Sequence, residues 1–197
     1  MTLSTIIIFL GWLAYGLFHS LLASSQFKGI IEAKYSKLFS NYRLLFVVSA
    51  LISPLPLLYY HFTTTSSEVW NNYREIRLFG GIIAGIGLAV LRKAFGSYDS
   101  KLFFGLSKAP ESSEAFKSDG ILAKVRHPLY TATLMLFWCW FLFSNSYHNL
   151  AFCLANTLYI IVGIQWEEKK LVQQYGQKYL DYKSNVPMLI PKFWKGK

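Results

Sequence analysis

Acidic residues are scarce in this 197-residue chain: ten Asp and Glu stand against twenty Lys and Arg, and only 15% of residues are charged. Cysteine is rarer still, with Cys139 and Cys153 both inside apolar stretches. Two buried thiols without neighbouring ligands argue against a disulfide framework or a zinc site, so no metal is expected. No basic region precedes the first apolar run, and that run exceeds the roughly 7–15 residues of a signal-peptide core. It therefore reads as a retained span. No lipidation motif shows, since the chain opens Met1-Thr2 and ends Trp194-Lys195-Gly196-Lys197. Intramembrane acidic residues and inverted repeats are also missing, which removes the main support for a transporter or channel.

What the chain has instead is apolar mass: 53% of its residues are hydrophobic and the mean hydropathy is +0.31. Runs of about 20 apolar residues mark bilayer spans. Three are plain, at 3–23, 43–62 and 76–95, and two shorter ones at 128–143 and 150–165 are separated only by 144–149. The expected fold is an all-α integral membrane protein of about five transmembrane helices in one bundle. Its last two helices form a hairpin, an interfacial C-terminal helix follows, and residues 1–197 make a single domain.

The net charge of +10 raises the question of nucleic acid, but its distribution answers otherwise. Four Lys and Arg fall in 26–43, two in 63–77, seven in 92–126 and seven after Trp166. Eighteen of the twenty therefore lie on one side of a five-span chain, which the positive-inside rule makes cytoplasmic. The N-terminus is then outside and the C-terminus inside, as in a protein of the cytoplasmic (inner) membrane. Topology and attraction to anionic lipid account for the charge without a nucleic-acid partner.

Between the spans, 26–42 alternates Phe27, Ile30, Ile31, Tyr35 and Leu38 with Lys28, Lys34 and Lys37, an amphipathic surface segment. The long connection 96–124, rich in Ser, Lys and Glu over 107–120, is the candidate lid. In the third span, Gly81 and Gly85 have the spacing of close helix packing. Gly85 and Gly87 do not make a dinucleotide fingerprint, because no strand precedes them and the third glycine is missing.

The residues suited to chemistry lie between Gly120 and Pro191. Arg126-His127-Pro128-Leu129-Tyr130 opens the fourth span. Pro128 suits the first helical position, so Arg126 and His127 stand just before a helix N-terminus, where free N–H groups and the dipole favour an anion. A charged helix cap is the plainer reading. Glu167-Glu168 closes the fifth span, where paired carboxylates oppose both the dipole and each other. Alone they would be a solvated surface pair. The hairpin, however, returns both groups to one face, where cations could take a ligand carboxylate and the carboxylates an ammonium or ribose hydroxyls. Beyond them Leu171, Tyr175, Tyr179 and Tyr182 recur at helical spacing, an aromatic stripe facing lipid or a pocket. His19 lies within the first span, where an ionisable group is either a hydrogen-bonded core histidine or part of an acceptor pocket, with Ser20 beside it. His61 and His148 sit at or beyond span ends and carry no comparable signal.

Arg126-His127-Pro128-Leu129-Tyr130, Glu167-Glu168, Tyr175-Gly176-xx-Tyr179-xx-Tyr182 and Val186-Pro187-xxx-Pro191 together resemble the C-terminal half of the isoprenylcysteine carboxyl methyltransferase superfamily, which includes phospholipid N-methyltransferases. Within it, NnrU-like proteins and methanethiol S-methyltransferases share patterns similar to residues 11–20 and 104–106. The resemblance implies S-adenosylmethionine as methyl donor, held in a half spanning about 96–191 by His127, Tyr130, Glu167 and Glu168, with support from Arg126. Gly85 and Gly87 resemble, more loosely, a Gly-x-Gly element of the phospholipid enzymes. The activity implied is methyl transfer to a small thiol or lipid-like acceptor in contact with the bilayer. Isoprenylcysteine carboxyl methyltransferase-like or phospholipid N-methyltransferase activity is an alternative, as is a non-catalytic NnrU-type membrane protein associated with denitrification. Oligomeric state is left open.

Overall fold

The computed structural model describes residues 2–71, 74–98, 100–106 and 116–192. The helices are α1 (Leu3–Ala23), α2 (Ser25–Lys34), α3 (Ser36–Phe39), α4 (Tyr42–Ile52), α5 (Leu55–Thr63), α6 (Arg74–Phe95), α7 (Ser100–Phe103), α8 (Pro128–Phe143), α9 (Tyr147–Tyr175) and α10 (Gln177–Asn185). Among the described residues there is no strand; one isolated antiparallel bridge joins Glu68 and Ser146. Residues 99 and 107–115 of the candidate lid 96–124 lie outside the described residues.

Four segments are long and apolar enough to cross a membrane: Leu3–Ala23, Tyr42–Thr63, Arg74–Phe95 and Tyr147–Tyr175. The protein is thus an all-helical, multi-pass membrane protein. α8 has 16 residues and is shorter than these; at 1.5 Å per residue it extends about 24 Å against a hydrocarbon core of about 30 Å. The second span is two helices, broken at Ser53-Pro54, because proline has no N–H to donate and crowds the preceding turn. α9 has 29 residues, about 43 Å. Its apolar stretch ends near Gln165, so the charged turns from Glu167 onward project beyond the spanning part. Leu3, Leu10, Leu17 and Leu21 of α1 are all more than half exposed, a distribution suited to lipid rather than water.

The aromatic stripe is carried by two helices. α9 continues through Tyr175, and the chain turns at Gly176, whose φ of +56° favours glycine, before α10 begins.

The described chain falls into two compact units. The first comprises 1–70, 100–110 and 145–159. Trp12 of α1 meets Phe152 of α9 edge-on at 4.8 Å between ring centroids. Tyr15 donates to the Ala50 carbonyl at 2.9 Å. Gly16 lets α1 approach α9 so closely that a Cβ there would stand 2.5 Å from the Tyr159 ring. Gly105, with φ +73°, brings its backbone against Leu44 of α4.

The second unit comprises 71–99, 111–144 and 160–197. α6 packs on α8 through Gly80, against Leu142 and the Cys139 carbonyl, and through Gly87, against Met135 and Leu136. These two glycines are seven residues apart, hence on one helix face. A Cβ added at Gly81 would only just reach Phe143, at 3.9 Å, and one at Gly85 would meet nothing within 4 Å, so the expected Gly81/Gly85 pair is not the packing pair. Gly87 serves helix packing, and neither Gly85 nor Gly87 provides a phosphate-type loop.

Gly16→Ala should lower stability by about 1–3 kcal/mol, because the added Cβ would stand 2.5 Å from the Tyr159 ring and force it or α1 to shift. Gly29→Ala in α2, with nothing within 4 Å, should instead raise it by about 0.5–1 kcal/mol through helix propensity. Denaturant unfolding in detergent micelles measures both; a neutral Gly16→Ala would show that the close approach is dispensable.

Candidate functional site

The end of the second unit where α8 begins and α9 finishes gathers its charged groups. Pro128 occupies the first turn of α8 and His127 is its N-cap residue, in a non-helical conformation (φ −123°, ψ 66°). Arg126, at a bend, and His127 are thereby held ahead of the helix, with their side chains reaching Glu168 of α9. Glu168, 3% exposed, receives three donors there. Arg126 reaches its Oε1 through Nε at 2.8 Å and Nη2 at 2.7 Å. His127 Nε2 approaches the same oxygen at 3.1 Å. Because a carboxylate only accepts, that ring nitrogen carries the hydrogen. Lys183 of α10 closes on Oε2 at 2.8 Å.

The C-terminal segment is strapped onto this cluster. Arg126 Nη1 donates to the carbonyls of Lys183 and Val186. The backbone N–H groups of Arg126 and His127 donate to the carbonyls of Pro187 and Met188 at 2.9 and 3.1 Å. Thr131, one turn into α8, donates to the Leu189 carbonyl at 2.8 Å. The N–H groups that the sequence offered to an anion at positions 126 and 127 are therefore taken by the chain's own carbonyls. All three side-chain nitrogens of Arg126 are likewise engaged. The opposite charges expected to grip separate parts of a ligand close largely on each other.

The two carboxylates consequently differ. Glu168 is buried and fully compensated. Burial alone would raise its pKa, but the bonds from Lys183, His127 and Arg126 hold it down to about 2. Glu167 is 44% exposed, with its Oε2 4.0 Å from His127 Nδ1, and keeps a face open to solvent. Tyr130 lies with its ring 5.7 Å from that of His127. An exposed carboxylate, an imidazole edge and a tyrosine, backed by fixed cations, suit a ligand bearing hydroxyl and ammonium groups. The structure thus brings Arg126, His127, Tyr130, Glu167 and Glu168 into one cluster.

His19 belongs to the first unit. Its ring lies 4.7 Å from Phe46, 6.1 Å from Tyr15 and 6.5 Å from Tyr159, while Ser20 bonds the Tyr159 hydroxyl at 3.2 Å. This is an aromatic surround for a half-buried imidazole. Two histidines that carried no signal in sequence are buried in the same unit. His61 Nε2 is 2.7 Å from Asn149 Oδ1, and His148 Nε2 is 3.0 Å from Ser4 Oγ. The cue was the start of α9: it begins at Tyr147, before the apolar run, which draws His148 and Asn149 into the helix.

Comparison with known proteins now bears on these residues. The family model described as "Phospholipid methyltransferase" matches residues 77–178, which bracket Arg126 through Glu168. The chain belongs to the phospholipid methyltransferase family. By family it is a methyltransferase, here on helices suited to crossing a membrane. It is 31% identical over 186 residues to methanethiol S-methyltransferase 2 of Bradyrhizobium diazoefficiens, covering 89% of this chain and 69% of that protein. Over 77 residues it is 42% identical to methanethiol S-methyltransferase of Pseudomonas deceptionensis, or 39% of this chain and 29% of the relative. A Mycobacterium tuberculosis protein of the same name is 27% identical over 164 residues, 77% of this chain and 63% of its own. No solved structure matches the chain.

Glu168→Ala should destabilise the protein by about 3–5 kcal/mol, because it leaves the buried Arg126 without its counter-charge. The wild-type carboxylate titrates at about 2 against an ordinary 4.5, so its stabilising contribution is full above the ordinary value and disappears as pH falls toward 2. Unfolding in detergent followed from pH 6 to pH 2 should show that loss in wild type and not in Glu168→Gln.

Proposed function

We propose that this protein is an S-adenosylmethionine-dependent methyltransferase of the cytoplasmic membrane that methylates a small thiol or lipid-like acceptor. The observation that carries the reading is the coincidence of the family segment, 77–178, with the Arg126–Glu168 cluster at the end of an apolar helical unit. The N-terminus is placed outside and the C-terminus in the cytosol, and 1–197 acts as one methyltransferase domain. Among acceptors a small thiol is favoured, since three relatives across different organisms bear the name methanethiol S-methyltransferase.

Bound S-adenosylmethionine supplies an electrophilic methyl group on a sulfonium, open to in-line displacement by the acceptor. The protein's part is then chiefly positioning. Glu167, half open to solvent, accepts from hydroxyls or pairs with an ammonium. His127 and Tyr130 form the adjoining wall, and Glu168 and Arg126 hold that wall and the C-terminal strap in register. The residues present fit the ammonium and ribose hydroxyls of such a cofactor: the Glu167 carboxylate is open to accept from them, while its charged neighbours are already neutralised by bonds within the chain. With a thiolate acceptor the opposite charges cancel as the bond forms, which a dry surround favours. His19, among Phe46, Tyr15 and Tyr159, is assigned to the acceptor side.

S-adenosylmethionine titrated into the detergent-purified protein should bind, and Glu167→Ala or His127→Ala should weaken that binding at least tenfold, about 1.4 kcal/mol. Labelled cofactor offered with thiols, prenylcysteines and phosphatidylethanolamine should mark the thiols first. Absence of binding by wild type at millimolar cofactor would end the enzyme reading; transfer to phosphatidylethanolamine alone would overturn the choice of acceptor.

A further inference from the structure

Methyl transfer to a neutral thiol releases a proton, and some group has to take it. The charged cluster of the second unit is not equipped for that. Glu168 is held by Arg126, His127 and Lys183, and the His127 nitrogen that reaches it already carries a hydrogen. Glu167 is committed to the donor in the reading above. Two further histidines, His61 and His148, are buried and bonded to Asn149 and Ser4. The fourth histidine of the chain is His19.

Its imidazole stands apart from the others. It lies within the first span, is only half-buried, and has no hydrogen bond among the described residues. An ionisable ring at that depth without an internal partner is costly, and leucine or phenylalanine would fill the space without the cost. Its surround suits a small sulfur acceptor. Phe46 lies at 4.7 Å, Tyr15 at 6.1 Å and Tyr159 at 6.5 Å between ring centroids. Both phenols are already engaged, Tyr15 with the Ala50 carbonyl and Tyr159 with Ser20, so they present ring surface. Sulfur makes favourable contacts with such rings. These residues all belong to the first unit, and Tyr159 shares the unbroken helix α9 with Glu167.

We propose that His19 is the catalytic base of the acceptor side, taking the S–H proton of a small neutral thiol as its sulfur is methylated. This rests on the methyltransferase reading above and adds to it the group that receives the proton. The sulfur's electron pair forms the new bond to the methyl carbon. The bond from that carbon to the sulfonium breaks, and S-adenosylhomocysteine and a neutral methyl thioether leave. The proton passes to the imidazole and from there to water. An acceptor that arrives already ionised needs no such base.

The test uses the full-length protein in detergent, with methanethiol and methaneselenol as acceptors; the two are alike in shape, but the selenol is ionised at neutral pH. His19→Gln should bind S-adenosylhomocysteine as wild type does. Its methylation of methanethiol should fall about 100-fold or more, the worth of a general base, while its methylation of methaneselenol falls far less. Phe46→Leu keeps the base but loosens the wall, and should raise KM for both acceptors alike; it decides the matter if His19→Gln does not fold. Equal losses for the two acceptors in His19→Gln, or full activity on methanethiol, would overturn the assignment. So would an unchanged KM in Phe46→Leu, or a wild type that methylates the thiol and not the selenolate. If wild type methylates no thiol at all, the thiol-methyltransferase reading itself fails and takes this inference with it.

Discussion

Glu168 is the group on which the second unit depends. Its carboxylate sits at 3% exposure and is compensated by three donors from two places in the sequence: Arg126 and His127 before α8, and Lys183 on α10. An unpaired charge buried this deeply would be intolerable. Each partner is therefore required where it is, and their positions fix the rest. Arg126 cannot reach Glu168 unless Pro128 starts α8 when it does. Lys183 cannot reach it unless the chain turns at Gly176. Arg126 also holds the carbonyls of Lys183 and Val186, so the ion cluster and the C-terminal strap form or fail together.

The proposed donor site is built on the margin of this cluster rather than within it. Arg126 and Glu168 complete each other, which makes them a rigid back wall. What faces outward from it is Glu167, 44% exposed and beside the His127 ring. Such a division suits methyl transfer, where the enzyme must hold two reactants in line without moving charges of its own. The first unit is stabilised differently. In lipid there is no hydrophobic force between helices, so close approach at Gly16 and internal bonds such as Tyr15 to Ala50 and His61 to Asn149 hold it together.

Much of this was legible in the sequence because the bilayer constrains it so strongly. Apolar length alone places α1 and α6, and the hairpin pattern brings residues 126–127 to 167–168. The break of the second span was also written there, in Pro54, though its apolar run hides it. Less legible was anything that depends on the direction of a side chain. Gly81 and Gly85 have the familiar spacing, yet the face of α6 that meets α8 carries Gly80 and Gly87. The two adjacent glutamates look equivalent in sequence, but successive helical residues point about 100° apart, so one is buried and one open. Tyr179 read as part of a stripe facing lipid or a pocket; only the turn at Gly176 directs it to the carboxylates.

The central claim is that residues around Arg126, His127 and Glu167 hold the methyl donor. Ultraviolet cross-linking of methyl-labelled S-adenosylmethionine to the purified protein, followed by peptide mapping, tests it most directly. The label is expected on peptides covering 126–130 or 167–182, and to be displaced by excess S-adenosylhomocysteine. Displaceable label confined to peptides of the first unit, or label that excess ligand does not displace, would contradict it.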